Sequence, residues 1–164
     1  MTTITTPDFD EFYRRHYRPL VALAWSKVGN GDDAVDLAQY ALTEAYRDWS
    51  KIGLLGRPDL WVRRIVLNRA ANHHRRRFRE RAALERLLTD PSVDVGALSD
   101  STQDLLFLVA ALPEQHAAVI ALRYVEDLPL ADIAEILGVA VGTVKTSLHR
   151  GRTAIARQLD QDAN

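Results

Sequence analysis

Apolar side chains recur at intervals of three and four residues in one segment after another, and no stretch sustains the alternation of a half-buried strand. That periodicity confines the chain to an all-α fold. The first helix is expected from about Asp8 to Lys27, with Phe9, Phe12, Tyr13, Leu20, Leu23 and Ala24 as apolar contacts. Pro19 lies inside it and is expected to kink or divide it, because proline removes a backbone donor and crowds the preceding turn. Gly29-Asn30-Gly31 breaks the chain. A second helix is expected from about Asp32 to Trp49, with acids in its first turn and Ala34, Leu37, Ala38, Ala41, Leu42, Ala45 and Trp49 as its apolar stripe. The glycine-bearing segment Ser50 to Pro58 reads as a loop, and a third helix runs from Pro58 through Arg81.

Thr89 to Asp104 is rich in Asp, Ser, Pro and Gly and poor in large apolar residues, so it reads as a flexible linker. It divides the 164 residues into two small helical domains, 1–88 and 105–164, with 89–104 between them. The net charge of −1 hides a block pattern. Residues 57–86 sum to +7, residues 87–142 to −8 and residues 143–157 to +4. A phosphate-binding surface needs local positive charge rather than a high overall isoelectric point, so two basic islands are compatible with nucleic acid. Eighteen of the 21 basic residues are arginine, whose forked guanidinium suits phosphate and base edges.

The string Leu130 to Ile155 has the build of a helix-turn-helix, with Gly138 at the turn and apolar anchors on both helices. Gly138 is able to take the left-handed conformation that ends a helix. On the second helix Val144, Leu148, Gly151 and Ile155 form one inward stripe. Thr146, His149, Arg150 and Thr153 then point outward, with Lys145 on the flank. Such a face fits the major groove, where Arg and Lys meet guanine and Thr meets the thymine methyl. The competing reading is a helical hairpin with a solvated face.

Trp61 to Arg81 carries Arg63, Arg64, Arg69, Arg75, Arg76, Arg77, Arg79 and Arg81 against one acid, Glu80. Asn68 and Asn72, four apart, share a face beside these arginines, and Asn pairs with a base edge while the arginines hold the backbone. Adjacent His73 and His74 point about 100° apart and do not chelate one ion. No catalytic arrangement, metal site or cofactor is expected, and the absence of cysteine excludes thiolate chemistry. No apolar run approaches the roughly 18 residues of a membrane span, and the N-terminus lacks a secretory signal, so a cytoplasmic protein is expected.

Taken together, Asp32 to Tyr46, Pro58 to Arg77 and Leu112 to Arg152 resemble the extracytoplasmic-function (ECF) sigma factors, promoter-specificity subunits of bacterial RNA polymerase, and an actinobacterial subgroup among them. The resemblance covers nearly the whole chain. It implies that residues 1–88 are a sigma-2-like domain and residues 105–164 a sigma-4-like domain. It implies that Asp33, Asp36, Leu37 and Gln39 dock on the clamp coiled coil of the polymerase largest subunit. The flap of the second-largest subunit, promoter DNA and an anti-sigma factor are the other implied partners. The Ser50–Pro58 loop with Asn68 and Asn72 would capture an unstacked base of the −10 element, flanked by Arg63, Arg64, Arg69, Arg75 and Arg76 on the strand backbone. Thr143, Lys145, Thr146, His149 and Arg150 would read the −35 element as duplex. Val35 and Tyr40 stand where the family usually has glutamate, and Ser147 where an arginine and its phosphate contact are frequent. The implied role is promoter binding and strand opening without covalent chemistry. Two other readings stay open: a stand-alone helix-turn-helix regulator with an N-terminal dimerisation or effector domain, and a helical adaptor whose basic helix binds an acidic partner.

Overall fold

The computed structural model describes residues 7–84 and 100–162, with side chains described except at 74–84, 100, 102, 103, 107 and 162. Among the described residues there is no strand. Helix α1 spans Phe9–Val28. Asp8 caps it by accepting a hydrogen bond from the Asp10 N–H, and Gly29 ends it at φ +74°. Pro19 lies inside α1 without dividing it, so of the two expected effects division does not occur. Leu20 through Lys27 are all buried, so tertiary packing on both sides of the proline outweighs a local cost of about 3 kcal/mol.

Asn30 then caps α2, Gly31–Arg47, by accepting from the Asp33 N–H at 2.9 Å. Ala34, Ala38, Ala41 and Ala45 form its fully buried stripe, and small side chains let α2 lie close against α1. Trp49, expected to end the second helix, instead opens a separate helical turn, α3, Trp49–Ile52, which takes in the start of the segment read as a loop. Trp49 holds this turn in place: its indole N–H donates to the Pro7 carbonyl at 2.7 Å and its ring packs on Phe9 and Phe12. The long basic helix is α4, Pro58–Leu84, packed against α1 and α2 through Leu60, Val62, Val66 and Ala70.

The second group begins with α5, Asp100–Ala110. Residues 100–104, read as the end of the linker, therefore lie in its first turns; 89–99 fall outside the described residues. Next comes α6, Glu114–Ile120, which continues into a π-helical turn, Ala121–Val125. After it, α7, Leu130–Leu137, and α8, Val141–Asp162, complete the chain. Where α8 crosses α6, a Cβ added at Gly151 would come within 2.8 Å of Ile120 Cγ1, so the close crossing depends on the missing side chain.

The two helix groups share one apolar core. Leu106, Leu122, Ile133 and Ile136 of the second group join Leu20, Leu23, Leu42, Val62 and Val66 of the first in a continuous buried cluster. Burying one such Leu or Ile is worth roughly 1.5–3 kcal/mol, against at most about 1 kcal/mol for an exposed ion pair. Apolar burial therefore supplies most of the cohesion between the groups.

Candidate nucleic-acid interface

The turn between α7 and α8 forms because Gly138, at φ +65°, terminates α7, and the Val139 N–H bonds back to the Ala134 carbonyl at 3.1 Å. From there α8 emerges with Val144 fully buried, Gly151 against Ile120, and Leu148 and Ile155 partly buried. Thr143, Lys145, Thr146, His149 and Arg150 are all exposed on the other side. Thr146 and Thr153 turn their hydroxyls onto the helix backbone, donating to the Gly142 and His149 carbonyls, which leaves the Thr methyl groups as the outward surface. Ser147, where the family often has an arginine, is buried in packing.

On α4 the candidate residues separate into two sets. Asn68, Asn72, Arg64 and Arg69 are exposed, and the Arg69 guanidinium lies 4.1 Å over the Tyr40 ring. Asn68 also stands at the rim of an open cleft of about 400 Å³ between the two helix groups. Arg63, in contrast, is buried. Its guanidinium donates to Glu126, to the Asp59 carbonyl at 2.9 Å and to the Asp59 carboxylate at 3.4 Å. Arg75 and Arg76 have side chains outside the described set.

Glu126 is the residue that sequence reasoning missed. Its side chain is 1% exposed, and its Oε1 has no hydrogen-bond partner. Burial pushes this carboxyl up to about 7, although Arg63 pulls it downward. Nearby, burial together with the Arg63 charge lowers the His16 imidazole to about 4. Burial alone would raise Asp59, but the hydrogen bond and charge of Arg57 and the charge of Arg63 leave it below its ordinary value. Arg57 also reaches Asp132 of α7 at 2.8 Å, and Arg64 donates to the Glu135 carbonyl at 2.7 Å. Across the same boundary Lys27, depressed by burial, pairs with Glu114 at 3.2 Å. These partners lie far apart in sequence, so no local spacing signals them.

The acidic face of α2 is smaller than its sequence implies. Asp36 is exposed. Leu37 lies in the core rather than on the surface, because it continues the alanine stripe. Gln39 donates to the Tyr13 hydroxyl at 2.7 Å, and Asp33 accepts from Asn30 and lies 3.0 Å from His73 Nε2. Among the described residues no group of three His, Cys, Asp or Glu side chains is placed to hold a metal ion.

Two family models match this chain: Sigma-70 region 2 over residues 12–80 and Sigma-70 region 4 over residues 102–155. A curated relative, the ECF RNA polymerase sigma factor SigM of Mycobacterium tuberculosis H37Rv, is 34% identical over 158 residues, covering 92% of this chain and 76% of its own. The RNA polymerase sigma-E factor of Streptomyces coelicolor is 30% identical over 161 residues, covering 95% and 91%. Among solved structures, the sigma factor RpoE in complex with the anti-sigma factor NepR from Bartonella quintana has a TM-score of 0.74 at 24% identity, covering 93% of this chain and 97% of that one; this likeness is one of fold. The two family matches, one on each helix group, make this a two-part helical sigma factor. The chain belongs to the ECF family of RNA polymerase sigma factors, whose members direct transcription initiation. Among the described residues no helix is long and apolar enough to cross a membrane.

Proposed function

We propose that this chain joins bacterial core RNA polymerase in the cytoplasm and selects promoters with two separate surfaces. The α8 face of Thr143, Lys145, Thr146, His149 and Arg150 reads the −35 element as duplex. The α4 face of Asn68 and Asn72, flanked by Arg63, Arg64, Arg69, Arg75 and Arg76, holds the opened −10 strand and, with the Ser50–Pro58 loop, captures an extruded base. Asp36, with Asp33 and Gln39, gives register on the basic clamp coiled coil; residues 105–164 meet the flap. The domain division is 1–88 and 100–164, the second part opening with α5, with 89–99 as linker. An anti-sigma factor is a natural further partner, as in the complex of RpoE with NepR. The work is binding and strand separation, with no covalent step.

The observation that carries this reading is the sorting of α8: every proposed reading residue is exposed, while Val144 and Gly151 pack inward. Run-off transcription with purified core enzyme on a randomised promoter library tests it. Two sequence blocks at fixed spacing are expected among the transcribed molecules. Enrichment of a single palindromic block would favour the stand-alone regulator instead.

A further inference from the structure

Tyr40 and Arg69 meet at the rim where α2 packs on α4. Tyr40 precedes the fully buried Ala41 and Arg69 precedes the fully buried Ala70, so the helix contact fixes both backbones while both side chains stay exposed. Asp33 and His73, 3.0 Å apart, join the same two helices. The Arg69 guanidinium lies 4.1 Å from the centre of the Tyr40 ring, the geometry of a cation–π contact. Arg57, Arg63 and Arg64 instead direct N–H donors at carboxylate or carbonyl oxygens. Among the described residues Arg69 makes no hydrogen bond or ion pair. The difference is chemical. A carboxylate engages the edge of a guanidinium and occupies its N–H donors, whereas a ring engages the flat face and leaves the edge free. Arg69 is therefore held in place with its donors still open to an incoming acceptor.

We propose that Tyr40 is a positioning residue of the strand-binding face: its ring seats the Arg69 guanidinium beside the Asn68–Asn72 face, with the N–H edge open to one phosphate of the opened strand. This deepens the reading of α4 as the −10 surface and rests on it. Seating the side chain beforehand removes part of the ordering cost that a mobile arginine brings to binding. It also gives a physical sense to the residue type at position 40. A glutamate there, as the family usually has, would pair with Arg69 along the guanidinium edge and compete with the phosphate. Asp36 of the docking surface lies one turn from Tyr40 on α2, so the competing assignment is a pair that belongs to the polymerase contact.

The test uses holoenzyme reconstituted at saturating core polymerase, so that differences in core affinity do not enter. Its affinity for a fluorescein-labelled, premelted promoter fragment is measured against salt concentration, and the core affinity of each variant is measured separately. Tyr40→Leu removes the π face and keeps apolar bulk. It is expected to weaken fragment binding about two- to fivefold, and Tyr40→Phe to retain the parent affinity. Tyr40→Glu is expected to weaken binding further and to flatten the salt dependence by about 0.7 in slope, as Arg69→Ala does, because one phosphate contact is lost. In the Arg69→Ala background Tyr40→Leu is expected to have no further effect, since the ring acts through the arginine. Equal affinity of parent and Tyr40→Leu, or the same loss with and without Arg69, overturns the proposal. Reduced core affinity with unchanged fragment binding also overturns it and gives the pair to the docking surface. Should Tyr40→Leu not fold, the Tyr40→Glu salt slope carries the same comparison, and a slope equal to the parent's refutes the seat. Unchanged binding by Arg69→Ala removes Arg69, and the role of Tyr40 with it. Asn68→Ala in the same assay then separates the two failures: a loss there leaves the −10 reading standing, and no loss strikes that reading as well.

Discussion

Replacing Glu126 with glutamine is expected to change how stability depends on pH. Burial holds the Glu126 carboxyl at about 7 in the folded chain, against an ordinary value of 4.5. Between those two values the folded chain keeps a proton that the unfolded chain has released. Stability therefore falls as the pH rises through this window, by about 1.4 kcal/mol per pH unit and roughly 3 kcal/mol in all. His16 acts in the opposite sense. Its imidazole is held at about 4 against 6.5, so the folded chain resists a proton that the unfolded chain accepts, and stability falls as the pH drops from about 6.5 toward 4. His16 is partly exposed, which discounts its share to about 1–2 kcal/mol. In the parent protein the two slopes oppose one another, leaving a shallow profile. In Glu126→Gln the histidine slope stands alone. Urea unfolding of both proteins, followed by tryptophan fluorescence at several pH values between about 5 and about 7, measures the difference directly. The parent should gain on the variant by roughly 1 kcal/mol for each pH unit of acidification. Parallel profiles would refute the claim that Glu126 is desolvated at the boundary between the helix groups.

Gly151→Ala gains about 1 kcal/mol of helix propensity but drives a methyl group into Ile120, an overpacking that costs about 1–3 kcal/mol. A lower Tm is expected, and a raised one would contradict the close α6–α8 crossing. Asp36→Arg should abolish binding to core polymerase, measured by native gel or anisotropy, while circular dichroism and Tm stay unchanged, because the side chain is exposed; normal core affinity would remove α2 from the docking surface. Arg150→Ala should cost on the order of 1–3 kcal/mol at one −35 base pair in a substitution scan, and an unaltered base preference would remove Arg150 from the reading set.

Local periodicity carries local information, and it made the helix-turn-helix legible. Gly138 and the stripe of Val144, Leu148 and Gly151 are spaced within a few turns, so their inward direction follows from helix geometry alone. The same reasoning located α1, α2 and α4 within a few residues. It failed where a distant partner decides. Pro19 survives inside α1 because Leu20 to Lys27 are packed by other helices. Trp49–Ile52 becomes a helical turn because the Trp49 ring packs on Phe9 and Phe12. Arg63 reads as a member of a solvated basic run, but it points at Glu126, 63 residues away. Leu37 is buried as its place in the apolar stripe predicts, which conflicts only with the docking role implied by the resemblance. Asp33 and His73, 40 residues apart, meet only because α2 packs on α4.

On the proposed reading this chain grips promoters only as part of the polymerase. The direct measurement is the affinity of the free chain and of the reconstituted holoenzyme for one and the same promoter recovered from the library, at matched salt. Weak, sequence-indifferent binding by the free chain is expected, with binding at least about a hundredfold tighter by the holoenzyme. Equally tight, selective binding by the free chain would contradict it.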